Sequence, residues 1–241
     1  PFTYSIATFA TLRSYEFIRN GPILQRLPVR IVGTGGGFDY GEAGSSHHAL
    51  EDVGVMRLQP GITIVIPADS NQVRAALLST WNFPGPVYYR LGKSCQTIIP
   101  ELAGRFALGR AEMIRQGKEI LFISMGSVTT EVMAASKILA TQGIGCAVMV
   151  VSSFNPAPVE DLSRALASYR TVVTVEAHYV SGALGSLVSE LVAEQGLSCR
   201  VFRCGIRSSF SGVIGSEQYL THAEGFSCGR LVEIIPKILK S

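Results

Sequence analysis

Short apolar runs alternate with longer amphipathic segments along the whole chain. Runs such as residues 29–32, 62–66 and 146–151 have the length and the β-branched content of buried strands. Residues 129–142 instead have the polar and apolar spacing of a helix, and Gly143 is suited to end it. The pattern therefore predicts strands and helices in alternation from one end of the chain to the other.

The same hydrophobic periodicity predicts the bounds of the strands and helices along the chain. The predicted strands are residues 2–8, 29–32, 62–66, 86–91, 106–114, 119–124, 146–151, 172–175 and 200–203. The predicted helices are residues 12–27 with an interruption at 20–22, 52–58, a helix from the N-cap segment 67–71 to about 81, 129–142, 159–168, 181–194, 216–222 and 227–239. This order is typical of an α/β fold with two doubly wound domains, each a mostly parallel sheet covered by helices.

The domain organisation follows from where the pattern changes. We predict a first domain at residues 1–95, a linker at 96–117 and a second domain at 118–241. The chain starts at Pro1 without a methionine and directly in strand-like sequence. We therefore expect the first domain to be incomplete at its start.

Composition indicates that much of the surface is covered by another subunit. Of the 241 residues, 47% are hydrophobic and only 16% are charged, against a usual charged share of about a quarter. No uninterrupted apolar run approaches the roughly 18 to 20 residues that a membrane span needs. We therefore expect the surplus apolar surface to be buried against another subunit, the alternative being an unusually large core.

Charge and cysteine content exclude other classes of protein. The formal net charge is only +3, and the basic residues are scattered, so a nucleic-acid partner is not expected. The five cysteines include no Cys-x-x-Cys pair, which favours reduced thiols in a cytoplasmic protein. We expect no signal peptide, and a cytoplasmic location without a membrane partner.

The segment at residues 33–44 is a glycine-rich loop that follows a predicted strand, and such loops carry the ligand sites of parallel sheets. It fits neither the dinucleotide pattern G-x-G-x-x-G nor the phosphate-binding pattern G-x-x-x-x-G-K-[ST]. His47 and Glu51 have the i, i+4 spacing of a shared helix face. The H-E-x-x-H order is absent and no third distant ligand stands out, so we predict no metal site in this chain.

Motifs along the whole chain resemble those of the transketolase family. A-T-F at 7–9 with R-S-Y-E-F-I-R at 13–19 is similar to the family's S-T-F and R-x-x-D-Q-I-R. G-E-A-G-S-S-H-H at 41–48 resembles G-E-D-G-P-T-H-Q. Further matches are E-D-V-G-V-M-R at 51–57, V-I-P-A-D at 65–69, G-P-V-Y-Y-R at 85–90, V-E-A-H at 175–178, G-A-L-G-S at 182–186 and G-S-E-Q-Y-L at 215–220. The resemblance implies a pyrimidine-binding domain followed by a transketolase C-terminal domain.

The resemblance also implies a cofactor and roles for particular residues. Family members use thiamine diphosphate with Mg²⁺, and an aromatic ring at the position of Phe9 stacks on the aminopyrimidine. Arg13 is the second candidate for cofactor contact, and His47 takes the place of the family's catalytic, substrate-facing histidine. His48 and Arg90 are the candidates for substrate binding. The alternatives are an ordinary core side chain for Phe9 and a solvated charge at a strand end for Arg90.

Departures from the family pattern imply a split enzyme. No Gly-Asp-Gly of the diphosphate-binding domain occurs in the chain, and the activating glutamate of the family would lie upstream of Pro1. Gly35 replaces a loop histidine and Ala43 replaces an aspartate, which suggests a substrate other than a short ketose phosphate. The resemblance thus implies a carboxyl-terminal subunit that transfers a two-carbon ketol unit from a small sugar.

The partner implied by these departures is an amino-terminal transketolase-like subunit, which would carry the diphosphate-binding domain and hold the metal. Together the two chains would form a hetero-oligomer such as a heterotetramer. Two alternatives stay open. The chain could belong to a pyruvate-using synthase or be the β subunit of a 2-oxo acid dehydrogenase, or it could be a non-catalytic scaffold subunit.

Overall fold

Two five-stranded, mostly parallel sheets with flanking helices make up the fold of the computed structural model, which describes residues 1–94, 97–207 and 212–240. This confirms the predicted α/β class with two doubly wound sheets. The predicted boundary between first domain and linker, at residues 95 and 96, lies outside the described residues, and the domain limits stay a prediction.

Each sheet takes its strands from a continuous part of the chain, except that the eighth strand belongs to the first sheet. The strands are β1 (Phe2–Ile6), β2 (Arg30–Thr34), β3 (Thr63–Val65), β4 (Val87–Leu91), β5 (Ala111–Arg115), β6 (Ile120–Ser124), β7 (Cys146–Val151), β8 (Ser153–Asn155), β9 (Thr171–Tyr179) and β10 (Arg200–Ile206). The α-helices are α1 (Tyr15–Ile18), α2 (Asp52–Arg57), α3 (Ser70–Thr80), α4 (Thr129–Thr141), α5 (Val159–Ser168), α6 (Leu184–Glu194), α7 (Glu217–Ala223) and α8 (Cys228–Lys240).

The first sheet has the order β1-β2-β4-β3-β8. Its first four strands are parallel, and Thr34 at the end of β2 pairs with Leu91 at the end of β4. Their carboxyl ends therefore meet at one edge, from which the glycine-rich loop departs. The fifth strand, β8, runs antiparallel to β3 and comes from the chain after β7. The sequence pattern did not predict β8, because three residues are too few to show a strand period.

The second sheet has the order β10-β9-β6-β7-β5, with β5 antiparallel to β7. The strand predicted at 106–114 begins only at Ala111. The two sheets are joined by β8 and by one apolar core, in which Ile64 and Tyr88 of the first sheet lie in the same cluster as Met149 of the second. This shared core fixes the first sheet's loops against the second sheet.

The helical segment after β1 differs from its prediction at both ends. It runs from Phe9 to Ile23, and its first and last turns are widened to i→i+5 hydrogen bonding. Pro22 has no N–H to donate, and the wider turn passes it with a bond of 3.0 Å from Leu24 N to Arg19 O. The predicted break at residues 20–22 is therefore a widened turn. One consequence is that Phe9 and Arg13 share the first turn.

The length and polarity of the helices bear on membrane insertion. Across the described ranges, none of the helices is both long enough and apolar enough to cross a bilayer.

Candidate functional site

Phe9, Arg13 and His47 come together on the surface of the first sheet. The His47 ring meets the Phe9 ring edge-on, with centroids 5.1 Å apart and an angle of 68° between the planes. The Arg13 guanidinium carbon lies 4.5 Å from the Phe9 centroid. Arg13 is exposed, while Phe9 and His47 are half-buried. Three of the five predicted site residues thus form one accessible cluster.

The glycine-rich loop delivers His47 to this cluster. Gly37 and Ala49 close the loop with a pair of backbone hydrogen bonds of 2.9 and 3.0 Å. Gly44 adopts a φ of 86°, in the region that favours glycine, and directly precedes the short 3₁₀ turn that ends at His47. The Ser46 hydroxyl lies 3.0 Å from His47 Nδ1. This contact engages one ring nitrogen and leaves Nε2 without a partner among the described residues.

His48 points into the loop rather than toward the cluster. Its side chain is buried, and Nε2 lies 3.2 Å from the Gly41 carbonyl oxygen. Its ring meets the Phe38 ring edge-on at 5.1 Å, and Phe38 in turn stacks on Phe226 from the second half of the chain. This placement favours a structural role, and the predicted substrate contact of His48 stays a prediction.

Arg90 is buried, with only 5% of its surface exposed, which excludes a solvated charge at the strand end. Its Nε donates to Asp52 Oδ2 at 2.9 Å. Its Nη2 donates to the carbonyl oxygens of Ala49 and Ala177, each at 2.9 Å. The guanidinium is thus engaged by a carboxylate, by the end of the glycine-rich loop and by the second sheet. This geometry favours a structural role, and substrate binding by Arg90 stays a prediction.

Tyr40 and Lys93 lie where the carboxyl ends of β2 and β4 meet. A Cβ atom placed on Gly35 would lie 2.1 Å from Tyr40 Cε2, so the tyrosine ring fills the space above that glycine. The Lys93 ammonium lies 4.8 Å from the Tyr40 ring centroid, within the range of a cation–π contact. Neither residue was predicted from the sequence. The available signal was Gly35, whose missing side chain leaves room for a neighbour.

Two carboxyl groups face each other where the loop meets α7. The carboxyl groups of Asp39 and Glu217 are close enough to affect each other's ionisation, and the charge of Asp39 favours the protonated form of Glu217. Burial raises the pKa of Asp39, although the Lys93 backbone N–H donates to its Oδ2 at 2.7 Å. Burial and the neighbouring Asp39 raise the pKa of Glu217 to about 7. Both carboxyl groups line a cavity of about 220 Å³ between the two halves of the chain.

A third carboxyl group with a raised pKa lies beneath the surface of the second sheet. Glu176 on β9 accepts hydrogen bonds from the backbone N–H groups of Leu184 and Gly185, at 2.9 and 2.8 Å. Burial raises the pKa of Glu176 to about 7, although these two hydrogen bonds act to lower it. Next to it on the same strand, His178 is also buried, and burial lowers its pKa.

These groups allow some kinds of chemistry. The Phe9 ring offers a flat apolar platform, and the His47 ring next to it carries nitrogen atoms that can donate or accept a hydrogen bond. Within the part of the chain that the structure describes, no group of three or more His, Cys, Asp or Glu side chains is arranged to hold a metal ion. The cluster is therefore suited to one end of a flat heteroaromatic ligand.

Two family models match consecutive parts of the chain. The model described as "Transketolase, pyrimidine binding domain" matches residues 1–96. The model described as "Transketolase, C-terminal domain" matches residues 109–225. The predicted order of the two domains is confirmed.

Relatives and a solved structure agree with these matches. One relative, named as a subunit of the apulose-4-phosphate transketolase of Actinobacillus succinogenes, is 31% identical over 236 residues, which are 96% of this chain and 75% of the relative. The 6-deoxy-6-sulfo-D-fructose transketolase subunit SqwH of Clostridium sp. is 34% identical over 234 residues, 96% and 71% of the two chains. A structure described as a split gene transketolase, an inactive beta4 tetramer, has a TM-score of 0.85 and 32% identity, covering 100% of this chain and 76% of that one. The chain therefore belongs to the transketolase family, over both of the matched domains.

Proposed function

We propose that this chain is the carboxyl-terminal subunit of a split transketolase-like enzyme that transfers a two-carbon ketol unit between sugars. Its cofactor in this proposal is thiamine diphosphate, and its active site is shared with a second subunit. One observation carries the proposal: the accessible contact between the Phe9 ring and His47. An aromatic platform next to a titratable group suits both a flat cofactor ring and a sugar oxygen.

The residues of this chain fit one half of the cofactor. Phe9 and Arg13 offer a half-buried ring and an exposed positive charge for the aminopyrimidine. The described residues include no metal-holding group, and the sequence contains no Gly-Asp-Gly. The diphosphate and its Mg²⁺ therefore fall to the partner subunit in this proposal.

Each residue of the cluster has a separate role in the proposed reaction. When bound, thiamine diphosphate supplies the nucleophilic carbon for attack on a ketose carbonyl. Phe9 would stack on the aminopyrimidine ring, and Arg13, whose guanidinium lies 4.5 Å from the Phe9 centroid, would be the second residue to hold it. His47 uses Nε2 to donate a proton to a substrate oxygen or to accept one from it, while Ser46 holds Nδ1.

The names of the relatives support the proposed partner. Two of them are named as subunits of transketolases, and the tetramer of beta chains is described as inactive. By analogy, we assign this chain to a hetero-oligomer, such as a heterotetramer, with an amino-terminal transketolase-like subunit. A small sugar is the proposed substrate.

The first experiment is calorimetric titration of thiamine diphosphate with Mg²⁺ into this chain alone, into the candidate partner alone and into their mixture. We expect binding in the mixture at an affinity that neither chain reaches by itself. The mixture is then assayed for ketol transfer by mass spectrometry of the sugar products. His47→Asn is expected to keep cofactor binding and to lower kcat by about 10²-fold or more, as for loss of a general acid–base group.

The other outcomes each contradict part of the proposal. Tight binding of the cofactor by this chain alone contradicts the shared site. CO₂ release from a 2-oxo acid contradicts ketol transfer and favours a decarboxylating enzyme. Absence of binding in every mixture contradicts catalysis and favours a scaffold subunit.

A further inference from the structure

The space above Gly35 is filled by the ring of Tyr40. Gly35 is the first residue after β2 and has a φ of 77°. A Cβ atom at this position would lie 2.1 and 2.2 Å from Tyr40 Cε2 and Cδ2. No side chain fits at position 35 while the ring is there, so glycine and tyrosine form one complementary pair.

The ring lies where a ligand of this fold would be expected. The Gly35 N–H donates to the Leu91 carbonyl oxygen at 2.8 Å, which joins the ends of β2 and β4. Ligands of open parallel sheets bind outside the carboxyl ends of the strands. Tyr40 therefore stands at the middle of the binding edge, within the same loop that carries His47.

The polar end of Tyr40 has no hydrogen-bond partner among the described residues, although the side chain is half-buried. The ring is held from one face by the Lys93 ammonium, 4.8 Å from the centroid. A phenol that is fixed at its ring and free at its hydroxyl can both limit the width of a site and bond to a sugar hydroxyl.

We propose that Tyr40 is a specificity-determining residue, which contacts a hydroxyl group of the ketose and closes the space above Gly35 to wider substrates. This inference rests on the proposed ketol transfer and names the residue that selects the ketose. Two properties of the side chain are separable. The hydroxyl contributes affinity for the correct ketose, and the ring excludes ketoses that need the space above Gly35.

The test uses the complex of this chain with its partner subunit and a panel of ketol donors. The panel contains L-erythrulose, D-xylulose, D-fructose and the terminal phosphates of the last two. We expect Tyr40→Phe to lower kcat/KM for the preferred donor by about 3- to 10-fold, since one neutral hydrogen bond is lost. We expect Tyr40→Ala to favour the donors that need the space above Gly35. For these donors kcat/KM, divided by kcat/KM for the preferred donor, should rise by about 10-fold or more. Tyr219→Phe, at an exposed tyrosine on α7, is the matched control and leaves these ratios unchanged.

A stability cycle tests the placement of the ring without any activity measurement. Gly35→Ala introduces both a clash with the ring and the strain of a left-handed φ, whereas in the Tyr40→Ala background only the strain is left. We expect the substitution to lower the melting temperature clearly more in the native background. Equal shifts in both backgrounds overturn the ring placement and the inference.

The kinetic outcomes separate this inference from the function on which it rests. A complex that uses none of the ketoses overturns the proposed function and the inference together. A complex that is active, and whose donor preference and kcat/KM survive both Tyr40 substitutions, overturns the inference alone.

Discussion

The Arg90 guanidinium on β4 lies 2.9 Å from Asp52 Oδ2 at the start of α2, and both side chains are buried. The Tyr88 hydroxyl donates to the same carboxylate oxygen at 2.6 Å. Through Nη2 the arginine also binds the carbonyl of Ala49, at the end of the glycine-rich loop, and that of Ala177 in the second sheet. The pair therefore fixes the loop that carries His47 against both sheets.

Removing one member of this pair is expected to be costly. Arg90→Met leaves the Asp52 carboxylate buried without its cation, and we expect the free energy of unfolding to fall by about 3–5 kcal/mol. Urea denaturation with a two-state fit measures this loss. The double substitution Asp52→Asn with Arg90→Met is expected to cost less than the sum of the two single substitutions, because no unpaired charge is left.

The same variants separate the structural role of Arg90 from the predicted substrate contact. If Arg90 bound a substrate phosphate, Arg90→Met would raise KM for a phosphorylated donor far more than for its unphosphorylated form. We expect both KM values to change by the same factor. A loss confined to the phosphorylated donor, in a protein of native stability, contradicts the structural role.

The alternation of strands and helices could be predicted, because apolar runs such as residues 146–151 indicate buried strands from local sequence alone. The strand β8 could not be predicted, since its three residues form a strand only by pairing with β3, which is distant in sequence. Arg90 shows the same limit at the site. A charged residue at a strand end is expected to be exposed or to bind a ligand. The partner of Arg90, Asp52, is 38 positions away in sequence.

Phe9, Arg13 and His47 could be named as candidates from the sequence, because motif resemblance assigns positions without needing their contacts. That they lie together is a finding of the structure, and their roles stay predictions. Tyr40 could not be named in this way, because its importance depends on the space above Gly35, which only the folded loop defines. Residue pairs that act by shape leave little trace in a single sequence.

Gly117 is expected to be intolerant of any side chain. A Cβ atom there would lie 2.2 Å from the Cys146 carbonyl carbon and 2.4 Å from Ala147 N, which are backbone atoms of β7 and cannot rotate away. We expect Gly117→Ala to lower the free energy of unfolding by about 1–3 kcal/mol through overpacking. Gly21→Ala is the matched control, since outside its own helical backbone and chain neighbours no described atom lies within 4 Å of its added Cβ. Equal stability of the two variants in urea would contradict the close packing of Gly117.

Glu176 is expected to make stability depend on pH near neutrality. Burial raises its pKa in the folded protein from the ordinary 4.5 to about 7, so the folded state binds this proton more tightly than the unfolded state. The stabilisation is fully present below about pH 4.5 and is lost as the pH rises through 7. Glu176→Gln cannot ionise and lacks this loss.

Denaturation at pH 5 and at pH 8 measures the effect of Glu176. We expect the stability of Glu176→Gln, relative to the native protein, to rise between these values by up to about 3 kcal/mol. Glu194→Gln removes a carboxylate from the exposed end of α6, the helix whose first N–H groups bind Glu176, and serves as the control. A relative stability of Glu176→Gln that is constant from pH 5 to pH 8 would rule out the raised pKa.

Phe9 is expected to contribute to cofactor affinity through its ring rather than through its hydrophobic volume alone. In the complex with the partner subunit, Phe9→Leu should weaken thiamine diphosphate binding by about 3- to 10-fold, since an aromatic contact contributes about 0.5–1.5 kcal/mol beyond buried area. Phe9→Tyr keeps the ring and should stay close to the native affinity. Phe17→Leu is the control, because Phe17 lies on the same helical segment and is 78% exposed. Calorimetry on the four proteins decides the matter: a loss that is equal in Phe9→Leu and Phe17→Leu would place the aminopyrimidine elsewhere.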